Sequence, residues 1–264
     1  MMDASIGRRR PLDLWFAYPD DLLKDEVAVA CAALLTGDER ARWQAFRFER
    51  DRREYLATRA LVRAALSHYR AIPPQAWRFS CNEFGKPSTD PACGLEFNLA
   101  NAHNLVVCLI AEGSAVGVDV EPYDHKEQIA ELAPNVFSAR ELAQLDALNG
   151  VGKLDRGLSL WTLKESYIKA RGMGLSLPLQ KFSFLFGDAE GIRLELDPSL
   201  EDKAERWRFG LLEHAGHRIA LMLERAAGSD VQVWESRPLL ASPTLLPAGV
   251  AEWFPRIPQV CFHP

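Results

Sequence analysis

Val116-Gly117-Val118-Asp119-Val120-Glu121 alternates apolar and polar residues, and Pro122 closes the run. Side chains on a strand point to opposite faces in turn. The pattern therefore predicts a strand over about 115–121, with Asp119 and Glu121 on one face and Val118 and Val120 on the other. The two acidic Cα atoms then stand roughly 6.5–7 Å apart, close enough for both carboxylates to reach one cation. Neighbouring acids on a strand repel each other unless a cation or solvent relieves them. Taken alone, the pair also fits the solvent-facing edge of an antiparallel sheet.

The run Leu158-Ser159-Leu160-Trp161-Thr162-Leu163-Lys164-Glu165-Ser166-Tyr167-Ile168-Lys169 carries the complement. Leu158, Trp161, Glu165 and Ile168 recur at helical spacing, which predicts a helix from about 155 to 171 that stops at Gly172. This stripe sets Glu165 among core-facing residues, where an unpaired carboxylate is costly. Lys169 follows one turn on, within reach of Glu165. An ordinary surface ion pair, worth about 0.3–0.5 kcal/mol, is the alternative. A third carboxylate brought to the strand pair completes an oxygen donor set for Mg²⁺, and a lysine beside it suits the leaving oxygen of a phosphoryl transfer. The combination points to metal and phosphate chemistry without choosing the reaction. A metal-dependent nuclease or phosphohydrolase, and a non-catalytic carrier-protein or nucleotide-binding module, stay open at this point.

Outward from these two stretches the chain alternates strand-like and helix-like segments. A strand is predicted at 12–18, helices at about 20–35 and 39–69, and short strands at 77–80 and 95–98 around a Gly85-Lys86-Pro87 turn. A buried strand follows at 105–111. Ser138 and Glu141 form a capping box opening a helix to about Leu148. Strands are predicted at 181–186, 192–196, 207–212 and 217–224. The prolines beyond 226 (Pro238, Pro243, Pro247, Pro255, Pro258, Pro264) suggest an extension wrapped on the surface. The order gives an α+β chain of two similar halves, 1–114 and 115–226, followed by the Pro-rich segment 227–264.

The composition is that of a globular protein, 48% hydrophobic and 25% charged over 264 residues. No apolar run is long enough for a membrane span. The basic start, Met1 to Arg10, lacks the apolar core of a signal peptide and reads as a frayed leader. Five scattered cysteines without a C-x-x-C pair argue against a zinc knuckle or a disulfide framework, and point to a reducing cytoplasm. A formal net charge of −5 disfavours a nucleic-acid partner. Eight arginines nevertheless crowd between Arg40 and Arg63, which suits either a solvated helix face or the seat of an anionic ligand. The His214-x-x-His217 pair reads as two histidines flanking a turn rather than as metal ligands.

Taken in order, Phe84-Gly85-Lys86-Pro87, Phe97-Asn98-Leu99, Gly117-Val118-Asp119-Val120-Glu121 and Trp161-Thr162-Leu163-Lys164-Glu165-Ser166-Tyr167-Ile168-Lys169 resemble the phosphopantetheinyl transferases of the surfactin-synthetase-activating (Sfp) type. The loop Gly172-Met173-Gly174-Leu175-Ser176-Leu177-Pro178-Leu179 extends the likeness, which spans roughly residues 40–187. The resemblance implies a monomer of two pseudo-symmetric α+β halves with coenzyme A in the cleft between them. It implies that Asp119, Glu121 and Glu165 hold Mg²⁺, that Glu165 deprotonates a serine of an acyl or peptidyl carrier protein, and that Lys169 stabilises departing adenosine 3′,5′-bisphosphate. It assigns Lys86 to the adenosine portion, Arg42 and Arg53 to the 3′-phosphate, and Trp161 to a buried place beside the metal helix. One departure concerns the 3′-phosphate. Many members have Ser-His-Ser after the Phe-Asn-Leu block, whereas this chain has Ala100-Asn101-Ala102, with His103 expected to share a strand face with Asn101. Asn101 keeps a hydrogen-bond donor but no charge, which implies weaker discrimination for that phosphate or compensation by the arginines. Glu54 is a second departure, where some members are basic.

Overall fold

In the computed structural model, which describes residues 12–23, 25–187, 191–224, 231–236, 244–245 and 252–254, thirteen strands and six α-helices alternate. The first half runs β1 (Leu12–Ala17), α1 (Asp25–Ala32), α2 (Gly37–Ala45), α3 (Glu49–Tyr69), β2 (Phe79–Cys81), β3 (Pro87–Thr89), β4 (Leu95–Ala102) and β5 (Leu105–Glu112). The second runs β6 (Val116–Pro122), α4 (Lys126–Val136), α5 (Ala139–Asp146), α6 (Gly150–Arg171), β7 (Phe182–Phe186), β8 (Ile192–Leu196), β9 (Trp207–His214) and β10 (His217–Glu224). Short strands β11 (Gln232–Glu235), β12 (Thr244–Leu245) and β13 (Glu252–Phe254) follow.

The strands form one sheet in the order β12-β11-β1-β5-β4 and another in the order β13-β9-β10-β6, with β2-β3 and β7-β8 as separate hairpins. Period-two alternation decides what each sheet face buries. In β1, Leu12, Leu14 and Phe16 join Val107 and Leu109 of β5, Val118 and Val120 of β6, and Ile219 and Leu221 of β10 in a cluster between the two sheets. Trp15 and Ala17 point the other way, onto α1 and α3. On the far side of the second sheet, Ala220 and Met222 pack with Leu160, Leu163 and Tyr167 of α6. The result is an α+β molecule of four layers, helix on sheet on sheet on helix, with each half a sheet backed by one long helix.

Several boundaries differ from the expectations. The helix predicted over 20–35 is a 3₁₀ turn at Pro19–Leu23 followed by α1. The stretch 39–69 is two helices. Thr36 and Glu39 close a capping box at the start of α2, and the extended backbone of Phe46 and Phe48 breaks the run before α3. The Gly85-Lys86-Pro87 turn joins β2 to β3, while 95–98 begins the longer β4. α4 lies outside the predicted elements; it buries Ile129 and Ala133 and carries Pro134 inside its last turn, a residue that ordinarily marks a helix boundary. The segment after 226 is no mere surface wrapping. β11 pairs in parallel with β1, with Val231 and Val233 buried between the sheets, and β13 pairs with β9. The prolines cited for that wrapping, the basic start Met1 to Arg10 and Cys261 all lie outside the described residues. Cys31, Cys81, Cys93 and Cys108 are free thiols.

His214 and His217 flank the Ala215-Gly216 turn between β9 and β10, both of whose residues have positive φ. The His214 ring bonds the Tyr18 hydroxyl at 2.7 Å, and the His217 ring bonds the Ala215 and Ala102 carbonyls. Each ring is thus occupied in structural contacts.

Candidate active site

β6 and α6 create the site by lying unusually close together. A Cβ on Gly117 would sit 2.0 Å from the Ser166 carbonyl oxygen and 2.5 Å from the Ala170 nitrogen, so glycine is what lets the helix rest on the strand. The other edge of β6 faces β4, where the Val118 N–H donates to the buried Asn98 side-chain oxygen at 2.8 Å. Asn98 thereby fixes the strand one residue before Asp119. Neither role was read from the sequence, although a lone glycine inside an alternating run signals close backbone approach.

With β6 held on both sides, its acidic face meets one face of α6. Lys169 donates to Asp119 Oδ1 at 2.7 Å rather than forming the expected pair with Glu165. Asp119 is 5% exposed, and its other oxygen, Oδ2, is buried with no hydrogen-bond partner among the described residues. Glu121 is gripped from both sides: Trp161 Nε1 donates to Oε1 at 2.9 Å, and His125 Nδ1 bonds Oε2 at 2.9 Å. Trp161 is thus a half-buried donor to the acid beside it. Burial first, and then the charges of Asp119 and Glu121, push the Glu165 carboxyl up to about 7, with Lys169 opposing them. The charges of Asp119 and Glu121 thus act on Glu165, and one Asp119 oxygen is left bare, although among the described residues the oxygens of the three carboxylates do not all lie within 4.8 Å of one another. Oxygen donors of this kind are the type a hard divalent cation takes.

Glu165 and Lys169 line a cavity of about 290 Å³ together with Lys86, Asn98 and Gly172. A second cavity, of about 350 Å³ and lined by Arg42, Arg59, Glu54 and Asn101, shares Pro87 and Leu99 with the first. The two cavities therefore adjoin, one beside Glu165 and Lys169 and the other beside the arginine-rich helices. The Lys86 ammonium donates to the carbonyls of Val116 (3.1 Å) and Ala170 (2.9 Å), and burial holds its pKa below the usual lysine range. It is a strut between the halves as well as part of the wall. Arg42 and Arg59 lie against the Tyr55 ring, at 5.7 and 5.4 Å.

Arg53 lines neither cavity; it points at Asp20, 4.0 Å away. Most other arginines of the cluster serve the fold. Arg63 is fully buried against Glu39, Arg59 also reaches Glu39, and Arg40 bonds the Ala32 carbonyl. Asn101 donates to Glu54 at 3.1 Å. His103 does not share its strand face. With φ +42 it turns away beyond β4, toward Asp124 and His125.

Residues 115–222 match the model of the 4′-phosphopantetheinyl transferase superfamily, and residues 23–113 match that of the 4′-phosphopantetheinyl transferase N-terminal region. The chain is 31% identical over 194 residues to the 4′-phosphopantetheinyl transferase HetI of Nostoc, covering 72% of this chain and 78% of that one. This chain belongs to the 4′-phosphopantetheinyl transferase family. Its class of enzyme is that of the family, a transferase. It is also 29% identical over 188 residues to Sfp of Bacillus subtilis (71% and 83% covered), and 31% identical over 218 residues to the phosphopantetheinyl transferase of Thraustochytrium (77% and 75% covered). No helix among the described residues is long and apolar enough to cross a membrane.

Proposed function

We propose that this chain transfers 4′-phosphopantetheine from coenzyme A to a serine hydroxyl of an acyl or peptidyl carrier protein, in the cytoplasm, releasing adenosine 3′,5′-bisphosphate. One observation carries the reading: Glu165 and Lys169 of α6, the latter paired with Asp119 of β6, line a cavity that adjoins a second one lined by Arg42. Asp119, Glu121 and Glu165 are the residues that would hold Mg²⁺. When bound, the ion neutralises pyrophosphate charge and polarises the phosphoryl group under attack.

The chain's own groups divide the remaining work. Glu165, whose carboxyl titrates near neutrality, accepts the serine proton as the serine oxygen forms its bond to the β-phosphorus. The bond from that phosphorus to the bridging oxygen breaks, and the electron pair leaves with the bisphosphate. Lys169 faces that developing charge from one turn further along α6. Trp161 and His125 keep Glu121 in one orientation, and Arg42 receives the far end of the donor.

Incubation of the full chain with coenzyme A, Mg²⁺ and an apo carrier protein tests the proposal by mass spectrometry. The expected result is one phosphopantetheine added to the carrier serine, dependent on Mg²⁺ and absent with a serine-to-alanine carrier. Hydrolysis of nucleic acid or of coenzyme A, with the carrier's mass unchanged, would overturn it.

A further inference from the structure

Beyond the three carboxylates, a second group of metal-ligating side chains lies where the two halves meet. His103 sits in the turn between β4 and β5; Asp124 and His125 follow β6 on the other half. One ligand atom from each of the three lies within 4.8 Å of the other two. His103 Nδ1 is 3.6 Å from Asp124 Oδ1, and the two imidazole rings are 5.1 Å apart and edge-on. Ligand atoms around a tetrahedral ion with bonds of about 2.0–2.1 Å stand about 3.3 Å apart, so the first pair is nearly in place. All three side chains are at least partly exposed and can close the remaining gap.

Two further features suit these residues to a ligand. His103 takes φ +42, a backbone state that disfavours most side chains, and so keeps its ring on the Asp124 side of the turn. His125 is oriented by Glu121, which accepts from Nδ1 at 2.9 Å and leaves Nε2 with its lone pair free. A carboxylate behind a histidine in this manner fixes the tautomer and raises the basicity of the liganding nitrogen.

We infer that His103, Asp124 and His125 form a binding site for a borderline divalent ion of the zinc class, distinct from the Mg²⁺ carboxylates and bridging the two halves. Two imidazoles and one carboxylate favour Zn²⁺, Co²⁺ or Ni²⁺; Mg²⁺ prefers oxygen donors throughout. Solvent or a fourth donor completes the coordination. Through His125 the ion would bear on Glu121, so filling this site and filling the Mg²⁺ site are coupled.

Co²⁺ titration of the untagged full chain, followed by visible absorption, tests the site without reference to transfer activity. The expected result is one equivalent with the intense bands of a low-coordinate nitrogen–oxygen site, displaced by Zn²⁺ but retained under a large excess of Mg²⁺. Asp119→Asn should leave the bands in place. His103→Gly, which also relieves the positive φ, and His125→Gln should each weaken binding 10-fold or more. Circular dichroism of both variants establishes that they are folded. Absence of the bands, their displacement by Mg²⁺, or undiminished binding in folded His103→Gly would overturn the assignment.

Discussion

Glu165 is the residue on which chemistry and stability pull apart. Its carboxyl is raised from an ordinary value of 4.5 to about 7, chiefly by burial. A raised acid favours the fold while protonated. That contribution is whole below about pH 4.5 and is lost as pH rises through 7, on the order of 2–3 kcal/mol in the metal-free protein. Metal-free Glu165→Gln should therefore melt above the parent at pH 8, with the gap closing toward pH 4.5 and under saturating Mg²⁺. The same change should lower carrier modification by about 10²–10⁴-fold while coenzyme A still binds, as loss of a general base requires. Paired thermal melts and transfer rates across pH check both; a variant that loses coenzyme A binding as well would return Glu165 to a structural role. Arg42 and Asn101 offer a second test at this scale, because Asn101 is already engaged with Glu54. Arg42→Ala should raise KM for coenzyme A by about 10-fold or more, the worth of a charged hydrogen bond, and narrow its advantage over 3′-dephospho-coenzyme A. Asn101→Ala should leave that ratio nearly unchanged. A large shift with Asn101→Ala would instead make the amide a phosphate ligand.

Helix α6 gathers the site because other elements clamp it. Glu141, the N3 residue of the α5 capping box, is fully buried and accepts from the Ser138 and Phe184 backbone N–H groups while pairing with Lys164 at 2.8 Å. Lys164, fully buried next to Glu165, also donates to the Leu179 and Phe182 carbonyls. Lys164→Met should strand the Glu141 charge and cost about 3–5 kcal/mol. Glu141→Gln added to it should recover part of that loss, which denaturant unfolding of the single and double variants would measure. On the strand side, Gly117→Ala must drive β6 from α6 against backbone atoms that cannot turn aside. It should cost about 1–3 kcal/mol or more and depress transfer beyond what stability explains; a folded, fully active Gly117→Ala would show that the close approach is dispensable. The sequence disclosed these elements unevenly. Capping at Ser138, the period of β6 and the helix stop at Gly172 are local signals, and they appear where expected. Lys169 choosing Asp119 over Glu165, His125 holding Glu121 and Arg53 turning to Asp20 are set by which elements meet in space. No period along the chain encodes those meetings.

Across the molecule, the two sheets and their backing helices could be anticipated because each strand's alternation and each helix's apolar face are written locally. How the end of the chain returns could not. Val231-Gln232-Val233-Trp234 alternates like a strand, but the prolines after it signal an irregular extension, and a parallel partner more than 200 residues distant leaves no local trace. The consequence is measurable. Ending the chain at Ala226 would strip β11 from β1 and remove Val231 and Val233 from the core between the sheets. It would also take away Trp234, whose ring stacks on Trp15 at 5.4 Å. Two buried valines at about 1.5–3 kcal/mol each, with an aromatic pair worth about 0.5–1.5 kcal/mol more, approach the whole stability of many domains. The bared edge of β1 would also invite strand pairing between molecules. The truncated chain should therefore appear largely in the insoluble fraction, and any soluble part should melt well below the full chain. A soluble truncation with an unchanged melting temperature would mean that β11 decorates the first sheet without supporting it.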